Sequence, residues 1–205
     1  MASDERLNDQ LYNAFNTRGF DIKDIKLFLD QKQEDLRALA LFYASEMGHS
    51  YYDIVELVLE DLKSNRPHSV SDAMDIITLG SYGDKSAYFH YVTDLLDDPR
   101  DHVRYKAMFL LSNKTSESLN CLLEFYQDPK NDCKDHIVGL KAFLGTSDES
   151  ISINDASVLV RSYAASLARY KFINKLMDKR SFEFFPGKDT VLNEFIMREI
   201  GQWGC

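Results

Sequence analysis

With 205 residues, 44% of them hydrophobic and only 4 prolines, the chain has the composition of an ordered protein able to bury a sizeable core, as one domain or an elongated repeat. A formal net charge of −9 argues against a surface built to hold nucleic-acid phosphates. No apolar run approaches the length of a bilayer span.

The charge is uneven. Between Asp30 and Asp101, 15 acidic residues stand against 6 basic ones, so this part nets −9 and the remainder is near neutral. A solvated face explains that excess, and so does a face suited to a basic partner. Cys121, Cys133 and Cys205 are odd in number and form no C-x-x-C pair. The start, Met1 to Arg6, has no secretory-leader pattern, so the expected compartment is a reducing cytoplasm.

In chain order, residues 4–17 read as a first helix with Leu7, Leu11, Tyr12 and Phe15 on one side. Asp21 caps a short second helix carrying Ile22, Ile25 and Leu29. The next, from about Gln33 to Met47, turns Leu36, Leu39, Ala40 and Tyr43 inward and closes at Gly48. Ser50 starts a helix striped by Ile54, Val55, Val58, Leu59 and Leu62, with Asp53, Glu56, Glu60 and Asp61 largely on the other side; Arg66-Pro67 breaks it. Ser69 or Ser71 opens another, through Val70, Ala73, Ile76 and Ile77 to Gly80, and residues 86–97 make the one after. Then comes the most regular stretch, Asp98 to Asn113. Asp98 reads as a cap, Pro99 as the first helical residue, and Val103, Ala107, Leu110 and Leu111 as one apolar stripe. Ser116 begins a helix of Leu119, Leu122, Leu123 and Tyr126, and Asp128-Pro129 repeats the earlier break. Helices over about 132–145, within 155–178 and over 190–200 complete the chain, with no convincing strand run.

Aligning the inner helices on their first aliphatic gives Leu36, Val70, Val103 and Val138, at separations of 34, 33 and 35 residues. Leu36-Arg37-x-x-Ala40 and Val103-Arg104-x-x-Ala107 share a fuller pattern, and Val160-Arg161-x-x-Ala164 gives a third copy out of phase. With Asp35 before Arg37 and Asp101 before Arg104, these stretches resemble HEAT-type repeats. The resemblance implies an all-α fold, an α-solenoid of stacked antiparallel helical hairpins in a right-handed superhelix. It implies one domain over 1–205, with a repeat core at about 33–170 between an N-terminal cap, 1–32, and a C-terminal cap, 171–205. Arg37, Arg104 and Arg161 read as a ladder of Arg–Asp pairs between neighbouring units, with direct partner contact as the alternative.

Little in the sequence carries catalytic chemistry. His49, His68, His90, His102 and His136 form no H-x-x-x-H or H-E-x-x-H pair, and Cys133-x-x-His136 lacks a second ligand pair, so neither metal nor cofactor is expected. There is no G-x-S-x-G elbow, and Gly187-Lys188-Asp189 is not a phosphate loop. The expected partner-binding set is Asp72, Asp75, Tyr82, Tyr91, Asp101, Tyr105 and Phe109, aromatic and acidic groups mixed on an inner face; core or rim packing is the plain alternative for the aromatics. A small, acidic helical-repeat protein of this kind looks like a bacterial toxin-immunity protein. The expectation is therefore a non-enzymatic scaffold, monomeric when free, that occludes a basic, nuclease-type toxin domain and binds neither nucleic acid nor membrane. The rival is a nucleic-acid protein or DNA glycosylase-type enzyme on the same frame, whose only locally basic run would be Arg169-Tyr170-Lys171 through Lys175, Lys179 and Arg180.

Overall fold

The computed structural model describes residues 9, 13, 22–30, 34–46, 54–81, 86, 88–146, 151–177 and 188–201. Among them the regular structure is helical and no strand occurs. The chain divides into two compact units, Met1–Tyr88 and Phe89–Cys205. Of the expected first helix only Asp9 and Asn13 are described, both helical, and the rest of it lies outside the described residues.

The first unit is built from α1 (Ile22–Leu29), α2 (Glu34–Glu46), α3 (Val55–Val58) and α4 (Pro67–Gly80). Glu34 and Asp35 in the first turn of α2 complement the positive end of its dipole, and Leu36, Ala40, Leu41, Tyr43 and Ala44 are its buried face. Helix α4 begins at Pro67 and not at a serine. Proline suits a first helical position because its missing N–H has no intrahelical partner there, so the expected break is a start. Its Val70, Ala73, Ile76 and Ile77 are buried as the spacing predicts, and Met74 is buried with them. The helix expected after Ser50 is four residues of α-helix that tighten into a 3₁₀ turn, Leu59–Lys63. The cause lies outside the segment: the Leu57 carbonyl accepts a hydrogen bond from Arg37 Nη2 at 2.5 Å. Tightening the turn from 3.6 to 3 residues also rotates Asp61 inward, where it is 7% exposed and not on the solvent side.

The second unit holds α5 (His90–Thr93), α6 (Asp101–Leu111), α7 (Ser116–Gln127), α8 (Lys134–Leu144), α9 (Val158–Ile173) and α10 (Thr190–Glu199). The helix expected over 86–97 is only the four residues of α5 followed by turns. Helix α6 starts two residues later than Asp98-Pro99 suggests, because the Asp98 carboxylate instead accepts the Arg100 N–H at 2.8 Å and pairs with the Arg100 guanidinium. Val103, Ala107, Leu110 and Leu111 are nonetheless the buried stripe. Side-chain caps at Thr115, Ser157 and Asp189 open α7, α9 and α10. Gly145, at φ +66°, closes α8 in the left-handed conformation that a residue without Cβ adopts most readily.

Helix α9 is the centre of this unit. It packs against α6, α8 and α10, and an unbroken run from Leu159 to Arg169, interrupted only at Arg161, is buried all round it. Apolar coverage on every side marks an enclosed helix. Its contact with α8 is close because Gly139 has no side chain: a Cβ there would lie 2.2 Å from the Tyr163 ring. The face of α8 that turns inward is accordingly His136, Gly139, Leu140 and Phe143. Val138, the fourth member of the aligned aliphatic series, is only half-buried. Contacts His136–Tyr163 and Phe143–Tyr170 share one offset, so α8 and α9 run in the same direction.

Candidate acidic interface and the polar networks behind it

In the first unit a charged layer lies over a buried ion pair. Arg37 Nε and Nη2 grip the two oxygens of Asp61 at 2.8 and 2.7 Å, and Arg37 also donates to the Leu29 and Leu57 carbonyls. The side-chain hydrogen bond that Arg37 donates to Asp61 raises the Arg37 pKa, outweighing burial. A fork–fork pair of this kind fixes geometry as well as charge, and lysine cannot replace arginine in it. The partner of Arg37 is thus Asp61 and not the adjacent Asp35. Asp35 pairs with Arg66 at 2.7 Å, and Glu34 lies 3.2 Å from the same guanidinium. Both carboxylates are open to solvent, with side chains 80% and 87% exposed for Glu34 and Asp35. Glu46, Glu56 and Glu60 are exposed as well, Glu56 accepting a hydrogen bond from Tyr88 at 2.6 Å. Asp72 and Asp75, on α4, are half-buried, and Asp72 accepts a 3.5 Å hydrogen bond from Ser45. By sequence Met1–Tyr88 holds 16 acidic and 9 basic residues, a net −7, whereas Phe89–Cys205 holds 17 and 15, a net −2.

The second unit uses its charges internally. Asp189 accepts the Leu192 N–H as the cap of α10, pairs with Arg104 and also with Arg161 at 3.2 Å. One carboxylate thereby ties α6, α9 and α10 together. Further along the same helices, Arg169 bonds Glu199 at 2.9 Å, Ser112 Oγ at 2.7 Å and Asn113 at 3.0 Å, and its guanidinium lies 4.2 Å over the Phe109 ring. Tyr105 donates to Glu199 at 2.5 Å and stands edge-on to Phe195; burial and that carboxylate raise its phenol above the ordinary value.

A second polar chain crosses four segments. His136 Nδ1 meets the Tyr163 hydroxyl at 2.9 Å and its Nε2 lies 3.4 Å from Asp94. Tyr126 stacks on the His136 ring at 4.1 Å and donates to Asp94 at 2.5 Å. Burial would raise the Asp94 carboxyl, but hydrogen bonds from His136 and Tyr126 outweigh it and hold the pKa below its ordinary value. Burial pushes the phenols of Tyr126 and Tyr163 up, so both stay neutral donors. Tyr163 is wholly buried, so no solute reaches its hydroxyl; Asp94, at the other end of the chain, is 48% exposed, and the groups between them are satisfied by one another. Among the described residues no three His, Cys, Asp or Glu converge as a metal site. None of their helices is long and apolar enough to cross a membrane.

The residues expected to bind a partner fall in both units. Asp72 and Asp75 belong to the first; Tyr91, Asp101, Tyr105 and Phe109 belong to the second, and Tyr82 lies outside the described residues. Asp101 is exposed in the first turn of α6, and the half-buried Tyr91 ring rests 3.9 Å from His90. Tyr105 and Phe109 are half-buried and engaged by Glu199 and Arg169. Sequence reading missed Asp189 and Asp94, and weighed His136 only as a ligand beside Cys133. An aspartate directly before Thr190 is a readable cap signal, and His136 shares an i, i+4, i+7 face with Leu140 and Phe143. The chain matches no protein-family model, and neither a curated protein nor a solved structure was found to resemble it.

Proposed function

We propose that this chain is a non-enzymatic protein-binding scaffold, an immunity protein that occludes a basic, nuclease-type toxin domain, and that it works in the cytoplasm as a monomer when free. The observation that carries the reading is the separation of charge by unit: net −7 in the first, much of it on exposed side chains such as Glu34, Asp35, Glu46, Glu56 and Glu60. An excess of one sign steers an oppositely charged partner to its surface and disfavours like-charged competitors. The partly buried ions of the second unit, Arg104, Arg161, Arg169, Asp189 and Glu199, by contrast pair with one another, which suits a supporting body. The proposal extends to a HEAT-like solenoid of stacked hairpins in a right-handed superhelix. The 34-, 33- and 35-residue spacing of Leu36, Val70, Val103 and Val138, in a chain whose described residues are helical, supports it.

The test is affinity capture from the native host at low salt, with wild type beside a variant carrying Glu34→Lys and Asp35→Lys and another carrying Asp72→Lys and Asp75→Lys. A basic protein retained by wild type and lost from the first variant at unchanged melting temperature is the expected result. The second variant reports whether the contact extends along α4. Retention of the same partner by both variants, or a salt-sensitive mobility shift with DNA or RNA, would overturn the reading.

A further inference from the structure

A cavity of about 260 Å³ opens in the first unit between the start of α2, the 3₁₀ turn and the start of α4. Its charged lining divides into used and unused groups. Arg37 and Asp61 are spent on each other, and Arg66 is spent on Glu34 and Asp35. Glu60 and Lys63 are not engaged in this way: both are exposed, both line the cavity, and neither forms a hydrogen bond or ion pair among the described residues. They stand three apart in a 3₁₀ turn, where side chains at that spacing eclipse one another. The two opposite charges are thus neighbours in the cavity lining, yet they form no ion pair with each other. A third unused group lies opposite. Ser69, in the first turn of α4, is 5% exposed and lines the same cavity, yet its hydroxyl has no hydrogen-bond partner among the described residues. What surface this residue keeps includes its hydroxyl, which is open to the cavity and able to meet a polar ligand atom.

The geometry points to a binding site for a small zwitterion of amino-acid size, which shares Glu34 and Glu60 with the acidic face but does not require the scaffold reading. The ligand's ammonium is held by Glu60, and its carboxylate by Lys63 and the Ser69 hydroxyl. The volume sets the size, since it is smaller than the roughly 300–1,000 Å³ that drug-sized ligands occupy. The sign pattern sets the class: a dication meets Lys63, a dianion meets Glu60, and a zwitterion satisfies both.

Titration calorimetry and thermal shift on the full chain test this with each of the twenty L-amino acids, and with putrescine and succinate as single-sign controls of similar length. At least one amino acid should bind with a Kd below ~1 mM, and neither control should. Lys63→Ala, Glu60→Gln and Ser69→Ala should each weaken that binding about tenfold, the loss expected for one charge-assisted or buried hydrogen bond. Lys63 and Glu60 are exposed and alanine favours a helix, so the melting temperatures of these variants should match wild type. Binding of putrescine or succinate as tightly as any amino acid, no amino-acid binding at about 10 mM, or binding indifferent to all three substitutions would each overturn the proposal.

Discussion

The two units handle charge in opposite ways. In the first, the Arg37–Asp61 pair locks the 3₁₀ turn to α2, and exposed carboxylates such as Glu34 and Asp35 stay outside. In the second, Asp189, Glu199, Asp94 and three arginines bind helix to helix, and the net charge is close to balanced. An ionised group at an exposed site contributes little to stability and much to recognition, whereas a group engaged in the interior does the reverse. The same residue types therefore carry different expectations depending on the unit that holds them.

That contrast is open to direct attack. The largest effect is expected from Asp189→Ala, which strands Arg104 and Arg161 and uncaps α10; equilibrium unfolding in urea should show a loss of about 3–5 kcal/mol. Next comes Gly139→Ala. Alanine in place of a helical glycine is ordinarily favourable, but here its methyl meets the Tyr163 ring, and a loss of about 2 kcal/mol is expected by the same measurement. A gain in stability at this position would show that α8 and α9 separate freely.

Lys114 sharpens the comparison from the other direction. It is 7% exposed, its ammonium lies 4.2 Å from the Phe89 ring centroid, and burial pulls its pKa down to about 8. The folded state holds the proton less tightly than the unfolded one, so folding is penalised below pH 8 and relieved as pH rises from 8 to 10.5. Lys114→Met should therefore raise stability by about 1–3 kcal/mol at pH 7, with the margin over wild type shrinking above pH 8 in a pH series of melting temperatures. The smallest effect belongs to Glu34→Lys with Asp35→Lys in the first unit. Their link to Arg66 is exposed, so the change in unfolding free energy should stay within ~1 kcal/mol. A larger loss would mean that the acidic layer is itself structural.

Periodicity revealed the long helices because their inward faces repeat every 3.6 residues: Val103, Ala107 and Leu110 on α6, and Val70, Ala73 and Ile77 on α4, are buried as the spacing requires. The short segments were illegible for a tertiary reason. The 3₁₀ turn follows from a carbonyl captured by Arg37, twenty residues earlier, and no local pattern announces it. Asp61 read as solvent-facing for the same reason. The repeat arginines read as a ladder of Arg–Asp pairs between neighbouring units; the aspartates they meet are distant in sequence, and Arg104 and Arg161 share one of them. They are Asp61 and Asp189, and the second stands 85 residues from Arg104. Gly139 follows Val138 where an arginine follows Leu36 and Val103, and its reason for being glycine is an aromatic ring on another helix.

Asp189 has a dynamic consequence. Terminal helices usually fray ahead of the rest of a protein, and their amides exchange with solvent early. Here the residue that opens α10 also neutralises cations on α6 and α9, so peeling that helix away exposes two uncompensated guanidinium groups at once. The last helix and the enclosed α9 should therefore open as one cooperative block, and deuterium uptake across residues 190–199 should track that of 159–169.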